Sequence, residues 1–303
     1  MPIAPQPPAT GGRGERRYLA AGHLCVDRIV AGSEGPPESR RLGGTTLFAA
    51  QQAHRMGYHV DLVTACTQAT LAQAYEDLDA GIRIHTPPAS TDTVFRFEHG
   101  PAHGPTHLES HGDLIRQLPE LSSFSVVHLA PVAAELPDAL VARVTTSPAS
   151  FVGVTPQGFL RQFMADGALR LRTTASLSML AEADAIVVNE EEHAVLLASD
   201  AVASMRGQLI VTRGENGAAL YRGAHEVATA PPRSAIAARD TVGAGDVCAT
   251  VVFCALAEGA VASDALACGV RAAGIYVARG AGLSSVPHRR DLHADDPKSA
   301  TRG

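Results

Sequence analysis

The sequence predicts an α/β protein whose doubly wound, mostly parallel sheet is covered by helices on both faces. Three observations carry this. Short apolar runs of strand length alternate with helix-spaced runs from Tyr18 to Ala278. No internal repeat and no linker-like stretch interrupts that span. Near its end, residues 239–258 read RDTVGAGDVCATVVFCALAE, a small-residue turn feeding a helix that is apolar on most sides (Val247, Thr250, Val251, Cys254, Ala255) and therefore buried.

The elements follow in order. Residues 18–21 open the sheet, and Gly22-His23-Leu24-Cys25-Val26-Asp27 follows, with Asp27 at the strand's end, where it either caps a turn or receives a ligand's hydroxyls. Residues 31–38 are a Gly/Pro turn. Arg40-Arg41-Leu42-Gly43-Gly44 leads to a helix with Thr45 as its expected N-cap and apolar residues at helical spacing up to Met56. The Gly43-Gly44 pair permits close approach of a ligand to the backbone. Residues 59–66 read as a strand, 71–78 as a helix, 81–85 as a short strand, and 91–98 (TDTVFRFE) alternate as a strand does. His99, His103, His107 and His111 recur every four residues, which on a helix would form a metal-binding face. Pro101, Gly104 and Pro105 lie among them, so a surface loop is expected instead.

Residues 125–130 are a buried strand, 136–144 a helix and 150–155 the next strand, which runs into a loop carrying Gln157 and Arg161. Ligands of doubly wound sheets sit at such C-terminal strand ends. Residues 185–188 form a strand ending at Asn189, and Glu190-Glu191-Glu192 start a helix, where carboxylates favour the positive dipole end. Residues 208–212 are a strand, followed by a glycine-containing turn, a strand over 218–221 and another over 225–230. A last helix spans 262–278, and a Gly-rich loop follows.

Composition narrows the function. The 303 residues suit one large α/β domain or two small ones, and 46% are hydrophobic. The net charge of −6 with no basic run argues against nucleic acid as a partner. The single lysine, Lys298, excludes a P-loop enzyme and Schiff-base chemistry in the folded domain. Five cysteines, odd in number and without a CxxC pair, read as reduced core residues of a cytoplasmic protein. No stretch is apolar enough to span a membrane, and residues 1–16 and 291–303 read as disordered tails.

The chemistry concentrates in Asp240-Thr241-Val242-Gly243-Ala244-Gly245-Asp246. The first amides of the following helix lack intrahelical partners and carry the positive dipole end, so they attract an anion that small side chains allow to come close. Asp246 at the rim has reason to be there if it accepts a proton from an attacking hydroxyl.

This DTVGAGD stretch resembles the C-terminal signature of the ribokinase/PfkB family of small-molecule kinases, and the resemblance extends over most of the chain. It implies a single ribokinase-like domain over residues 17–290, with a small β-lid from segments near 28–42 and 91–99. It implies Gly243, Ala244 and Gly245 as the anion hole and Asp246 as the base that also meets the substrate. Asp27, Gly43 and Gly44 would hold the acceptor, and Arg96 would either point into the site or lie on the lid surface. The loop with Gln157 and Arg161 is similar to that of some inositol-kinase-like members and would add acceptor contacts. Asn189 and Glu192 match an Asn-x-x-Glu motif, with Asn189 on the nucleotide and Glu192 placing Mg²⁺ through water. Thr212, Gly214 and Gly217 would flank the nucleotide, and Gly282 would lie near the adenine. The resemblance also admits a monovalent cation such as K⁺ beside Asp240, and a homodimer through the lid. Phe48 stands where sugar kinases nearest ribokinase usually carry Asn, which would make one side of the acceptor pocket apolar.

The implied activity is ATP-dependent phosphorylation of a cyclitol or sugar hydroxyl. The alternatives are a nucleoside kinase, disfavoured by an aromatic content of 4% with no Trp, and a non-catalytic small-molecule sensor, disfavoured by the intact Asp246.

Overall fold

Alternation within single strands divides the core in two. In β1 (Arg17–Ala21), Tyr18 and Ala20 pack into one apolar layer and Leu19 and Ala21 into the other, and all four are fully buried. A strand buried on both faces belongs inside a sheet covered by helices on both sides. The structure, a computed structural model, describes residues 15–30, 38–98, 106–147, 150–172, 177–199, 201–232 and 240–293.

Besides β1, the strands are β2 (Cys25–Ile29), β3 (Ser39–Gly43), β4 (His59–Val63), β5 (Arg83–His85), β6 (Thr93–Phe97), β7 (His107–Ser110), β8 (Val126–Leu129), β9 (Phe151–Val154), β10 (Arg161–Phe163), β11 (Leu169–Leu171), β12 (Ala185–Asn189), β13 (Gln208–Thr212), β14 (Ala218–Arg222) and β15 (His225–Ala230). The helices are α1 (Thr45–Arg55), α2 (Gln68–Asp77), α3 (Asp138–Thr145), α4 (Gln157–Leu160), α5 (Glu190–Leu197), α6 (Ala201–Ser204), α7 (Ala244–Ala257) and α8 (Ala262–Ala278).

A nine-stranded sheet runs β15-β14-β13-β12-β9-β8-β1-β4-β5. It is parallel from β13 to β5, and β14 and β15 pair antiparallel at one edge. Helices α1, α7 and α8 cover one face, and α3 and α5 cover the other. Gly153 of β9 leaves the space that the Phe253 ring of α7 fills. This is the α/β architecture that the alternation predicts. A four-stranded sheet, β3-β2-β6-β7, stands apart as the lid. Among the described residues no helix is long and apolar enough to cross a membrane.

Several local expectations change. Thr45 does not cap α1; Gly44 occupies the N-cap without a side-chain bond, and Thr45 is the first helical residue. Asp27 does not end β1, because the chain leaves the large sheet at Gly22 and Asp27 sits inside β2 of the lid. The loop expected at 157–161 is one helical turn, α4, running into the β10–β11 hairpin. Of the four spaced histidines, His99 and His103 lie outside the described residues, and His107 begins β7, a lid strand that the Pro/Gly pattern concealed. Asp291 and Leu292 belong to a short 3-10 turn rather than to a tail: Asp291 accepts from the His288 amide and pairs with Arg279, and Leu292 is buried. Arg16 likewise pairs with Glu258 and lies over the Tyr58 ring.

Candidate active site

Helix α7 begins without a side-chain cap. Its N-cap is Gly243, held at φ 87° in the left-handed region, where any other L-residue is strained. A Cβ there would also lie 2.8 Å from the Phe48 ring. The Ala244 amide closes the turn on Thr241 O at 3.0 Å, and the Val247 amide bonds Gly243 O at 2.9 Å. The amides of Gly243, Gly245 and Asp246 have no partner among the described residues. A Cβ on Gly245 would meet nothing within 4 Å, so this helix end opens outward. Unpaired amides at a dipole's positive end are the physical content of an anion hole.

Asp246 is the third residue of α7. Protein surrounds its carboxylate, yet solvent still reaches the residue, as at the bottom of a cleft. Burial pushes its pKa up to about 7; a hydrogen bond from Thr45 opposes the rise, the negative charge of Glu192 adds to it, Arg161 opposes it and Asp27 adds to it. Thr45, displaced from its expected cap, thus bonds the catalytic candidate. A carboxylate that titrates near neutrality is matched to proton transfer.

Buried hydrogen bonds hold this region from below. Thr250 Oγ1 donates to the Asp246 carbonyl at 2.8 Å. Tyr18 Oη and His128 Nδ1 lie 2.9 Å apart, and His128 Nε2 lies 2.9 Å from Thr155 Oγ1. Burial pulls the His128 pKa down to about 3, so the ring is neutral, with one nitrogen donating and the other accepting. Thr155 precedes the Pro156-Gln157 turn. Tyr18, His128 and Thr155 therefore link the first strand to the segment leading to Gln157 and Arg161, and no sequence pattern disclosed it.

On the acceptor side, Asp27 is buried, and Gly43 lies directly against its carboxylate. Burial raises the Asp27 pKa to about 6; Arg41 and Arg161 oppose the rise and Asp240 adds to it. Arg161 is itself buried, with its guanidinium over the Phe95 ring at 5.2 Å and Nη1 donating to Val132 O at 3.0 Å. Burial lowers its pKa, opposed by Glu192, Cys25, Glu135 and Asp27. Gln157 hydrogen-bonds Glu192. Gly44 starts α1 beside His23 and Cys25.

Register and packing bear on two further residues. Arg96 is in register with Arg28, not with Asp27, so strand alternation puts it on the opposite lid face, the second of its two alternatives, where it pairs with Glu98 at 2.9 Å. Phe48 is buried against Gly243 and meets Tyr276 edge-on at 6.2 Å, supporting the turn that starts α7. The residue that sequence reading passed over is Arg41. In register with Asp27, it sends Nη1 to Asp240 Oδ2 at 2.7 Å and holds Nε 3.9 Å from Asp27 Oδ2.

On the donor side, Asn189 and Glu192 cap each other. Asn189 Oδ1 accepts the Glu192 amide at 2.8 Å, and Glu192 Oε2 accepts the Asn189 amide at 3.0 Å. Glu192 is buried, which raises its pKa, and its charge is felt at Asp246. Thr212 donates to Val188 O at 3.2 Å. Gly214 faces open space, whereas Gly217 packs on the Ala230 carbonyl. The Gly282 amide donates to Tyr276 Oη at 2.9 Å, and Tyr276 donates to Val242 O at 2.6 Å.

The two implied ions give opposite results. Among the described residues no three His, Cys, Asp or Glu side chains are grouped as a protein-built metal site needs. Glu192 and Asp246 are nonetheless hard oxygen donors whose mutual repulsion a hydrated Mg²⁺ would relieve, and Mg²⁺ keeps most of its waters. They fit Mg²⁺. The monovalent cation beside Asp240 does not fit: Oδ2 holds Arg41, Oδ1 accepts the Val242 amide at 2.9 Å, and the Val242 carbonyl holds Tyr276.

Fold and site together define an α/β protein in which an open helix end and a buried carboxylate with a raised pKa lie beside a small four-stranded sheet. The chain belongs to the pfkB family of carbohydrate kinases, whose profile matches residues 26–289. No curated protein matches it. It is similar in structure to a pyrophosphate-dependent myo-inositol-1 kinase converted into a myo-inositol-3 kinase (TM-score 0.73, 18% identity, 92% of this chain and 99% of that one). A pyrophosphate-dependent kinase of the ribokinase family, complexed with a pyrophosphate analog and myo-inositol, gives 0.71 at 20% identity over 91% and 99%. Arabidopsis thaliana ribokinase complexed with ribose and ATP gives 0.69 at 17% identity over 92% and 98%.

Proposed function

We propose that this kinase transfers a phosphoryl group from ATP to a hydroxyl of a neutral, compact polyhydroxylated ring, a cyclitol or a free sugar. The observation that carries the reading is the adjacency, at the start of α7, of three unpaired amides and a carboxylate that titrates near 7. Asp246 removes the hydroxyl proton as the oxygen attacks the γ-phosphorus, and the bond to the departing ADP oxygen breaks. The amides of Gly243, Gly245 and Asp246 meet the charge on the equatorial oxygens. Ala244, between them, adds no bulk. Glu192 and Asp246 would hold Mg²⁺ through water, and the ion supplies further neutralisation of the phosphates.

The acceptor follows from charge. Asp27, Asp246, Glu192 and Asp240 act on one another electrostatically and are answered by Arg41 and Arg161. Negative charge is in excess, which disfavours a phosphorylated acceptor, while the Asp27 carboxylate can receive two neighbouring ring hydroxyls. Gly43 and Gly44 let the ring lie against the lid backbone, and Gln157 and Arg161 border it.

Pyrophosphate as donor is the second reading. Asn189, Thr212 and Gly217, expected on the nucleotide, are all engaged in contacts of the fold, and only Gly214 and Gly282 face open space. The first two structural neighbours above are pyrophosphate-dependent by name. The test is a matrix of ATP or pyrophosphate against inositols, hexoses, hexose monophosphates and nucleosides, compared by kcat/KM. The proposal requires an unphosphorylated cyclitol or sugar to lead with ATP. Tenfold preference for a hexose monophosphate or nucleoside, about 1.4 kcal/mol, overturns the acceptor assignment. Tenfold preference for pyrophosphate replaces the donor.

A further inference from the structure

The turn that starts α7 and the Gly-rich loop after α8 meet at a place where the chain's own groups occupy Asp240, the Val242 carbonyl and the Gly282 amide. Asp240 heads the turn. Its Oδ2 is paired with Arg41 Nη1 at 2.7 Å, an ion pair that spans from the lid to the turn, and its Oδ1 takes the Val242 amide. The Val242 carbonyl takes the Tyr276 hydroxyl at 2.6 Å, and the same phenol oxygen receives the Gly282 amide at 2.9 Å. Tyr276 is fully buried and fixed by the Phe48 ring, which also supports Gly243. The Gly282 and Ser284 carbonyls of the loop are taken as well, by the Ser285 amide at 3.0 Å and by Arg55 Nη1 at 3.1 Å.

An alkali ion binds where a ring of oxygens with free lone pairs replaces its water. Here those oxygens already receive proton donors, whose positive ends crowd the place an ion would take, and the one carboxylate already has its positive charge. A K⁺ ion would sit against a guanidinium and would bring only the single charge that Arg41 already provides.

We infer that Arg41 and Tyr276 take the place of a monovalent cation between the α7 turn and the loop after α8, so that the anion-hole turn is held by the chain's own groups and K⁺ is not required. Arg41 acts through Asp240 and is a positioning residue. Because its Nε also approaches Asp27, it ties the acceptor pocket to the same turn. The turnover part of this inference rests on the kinase reading above; the binding part does not.

The experiment has two readouts. Turnover and the melting temperature of the ligand-free full-length protein are measured in chlorides of K⁺, Na⁺, Cs⁺ and tetramethylammonium at equal ionic strength. Wild type should vary by less than about twofold in kcat and show no K⁺-specific rise in Tm. The Arg41→Met, Tyr276→Phe double variant should lose about tenfold in kcat through a loosened turn and acquire a K⁺-specific gain of a few degrees in Tm. Arg41→Lys, which keeps a cation and serves if the double variant fails to fold, should stay K⁺-independent in both readouts. Activation of wild type by K⁺ of about fivefold or more, or a K⁺-specific rise in its Tm, overturns the inference. So does undiminished kcat of the double variant without K⁺. A protein with no kinase activity in any salt would sink the proposed function and leave the melting readout to decide the cation question.

Discussion

Two helices start next to each other in this cleft, each with a carboxylate at its third position, and they use it in opposite ways. In α5, the Glu192 carboxylate turns back to the Asn189 amide while Asn189 accepts the Glu192 amide, so the helix end is closed by its own side chains. In α7, the N-cap is a glycine, the amides stay open, and Asp246 bonds Thr45 instead of its own backbone. Closing a helix end with a good cap is worth about 1 kcal/mol. Helix α7 forgoes that and leaves its donors open, as the proposed anion site requires, while α5 spends its donors on rigidity. The lesson is that a capping box and an anion hole exclude each other, although both place an acidic residue near a helix start.

The largest effect should come from the carboxylate that does not cap. Asp246→Asn should lower kcat by about 10²–10⁴ with the fold intact. Retention of more than a tenth of wild-type turnover would show that Asp246 is not the base. The same variant reports on burial. The folded-state pKa is raised from 3.8 to about 7, so the wild-type contribution to stability is full below about 4 and is lost as the pH rises through about 7. The melting advantage of Asn over Asp should therefore grow from pH 5 to pH 7 and level off above. A constant difference across this range would mean that the carboxylate is not held back by its surroundings. In wild type, kcat/KM should climb with pH and level off above about 7.

Gly243→Ala comes next. It imposes a left-handed backbone on an L-residue, at about 1–2 kcal/mol, and drives a methyl against Phe48. Loss of about tenfold or more in kcat and a lower Tm are expected, with Phe48→Leu in that background recovering part of the Tm. If Gly243→Ala is neutral, the helix end does not depend on its glycine and the contrast with α5 fails.

Glu192→Gln separates the two functions of that residue. Glutamine can still close the capping box, so Tm should hold, but the negative charge that raises the Asp246 pKa is gone. The acidic limb of the kcat/KM profile should move to lower pH, and more Mg²⁺ should be needed for half-maximal rate. An unshifted limb would disconnect the two carboxylates. The smallest effect is expected from Asn189→Ala, which removes a cap and should cost about 1 kcal/mol of stability with kcat changed less than threefold. A loss of kcat far beyond that would give Asn189 a direct part in donor binding.

Much of this was legible without coordinates. Strand and helix alternation placed the large sheet, because a strand buried on both faces must be apolar throughout. The DTVGAGD turn disclosed the open helix start, because small residues there have a local geometric meaning. Local signals also misled. Thr45 has the chemistry of an N-cap, yet Gly44 takes that position; strand register alone chose between the two places open to Arg96, and packing set Phe48 against Gly243; and prolines near His107 hid a lid strand.

What the sequence by itself determined is therefore local: which stretches are strands or helices, where a helix begins without a cap, and which carboxylate stands beside it. Tertiary structure alone decided who meets whom. Arg41 reaches Asp240 across 199 positions of sequence, and His128 reaches Tyr18 across 110. The periods that reveal a helix or strand extend over a few residues, whereas ion pairs and buried hydrogen-bond chains form wherever the packed sheet and lid bring groups within about 3 Å. No local pattern encodes those distances, so the uncapped helix start was readable in the chain and the side chains that hold it were not.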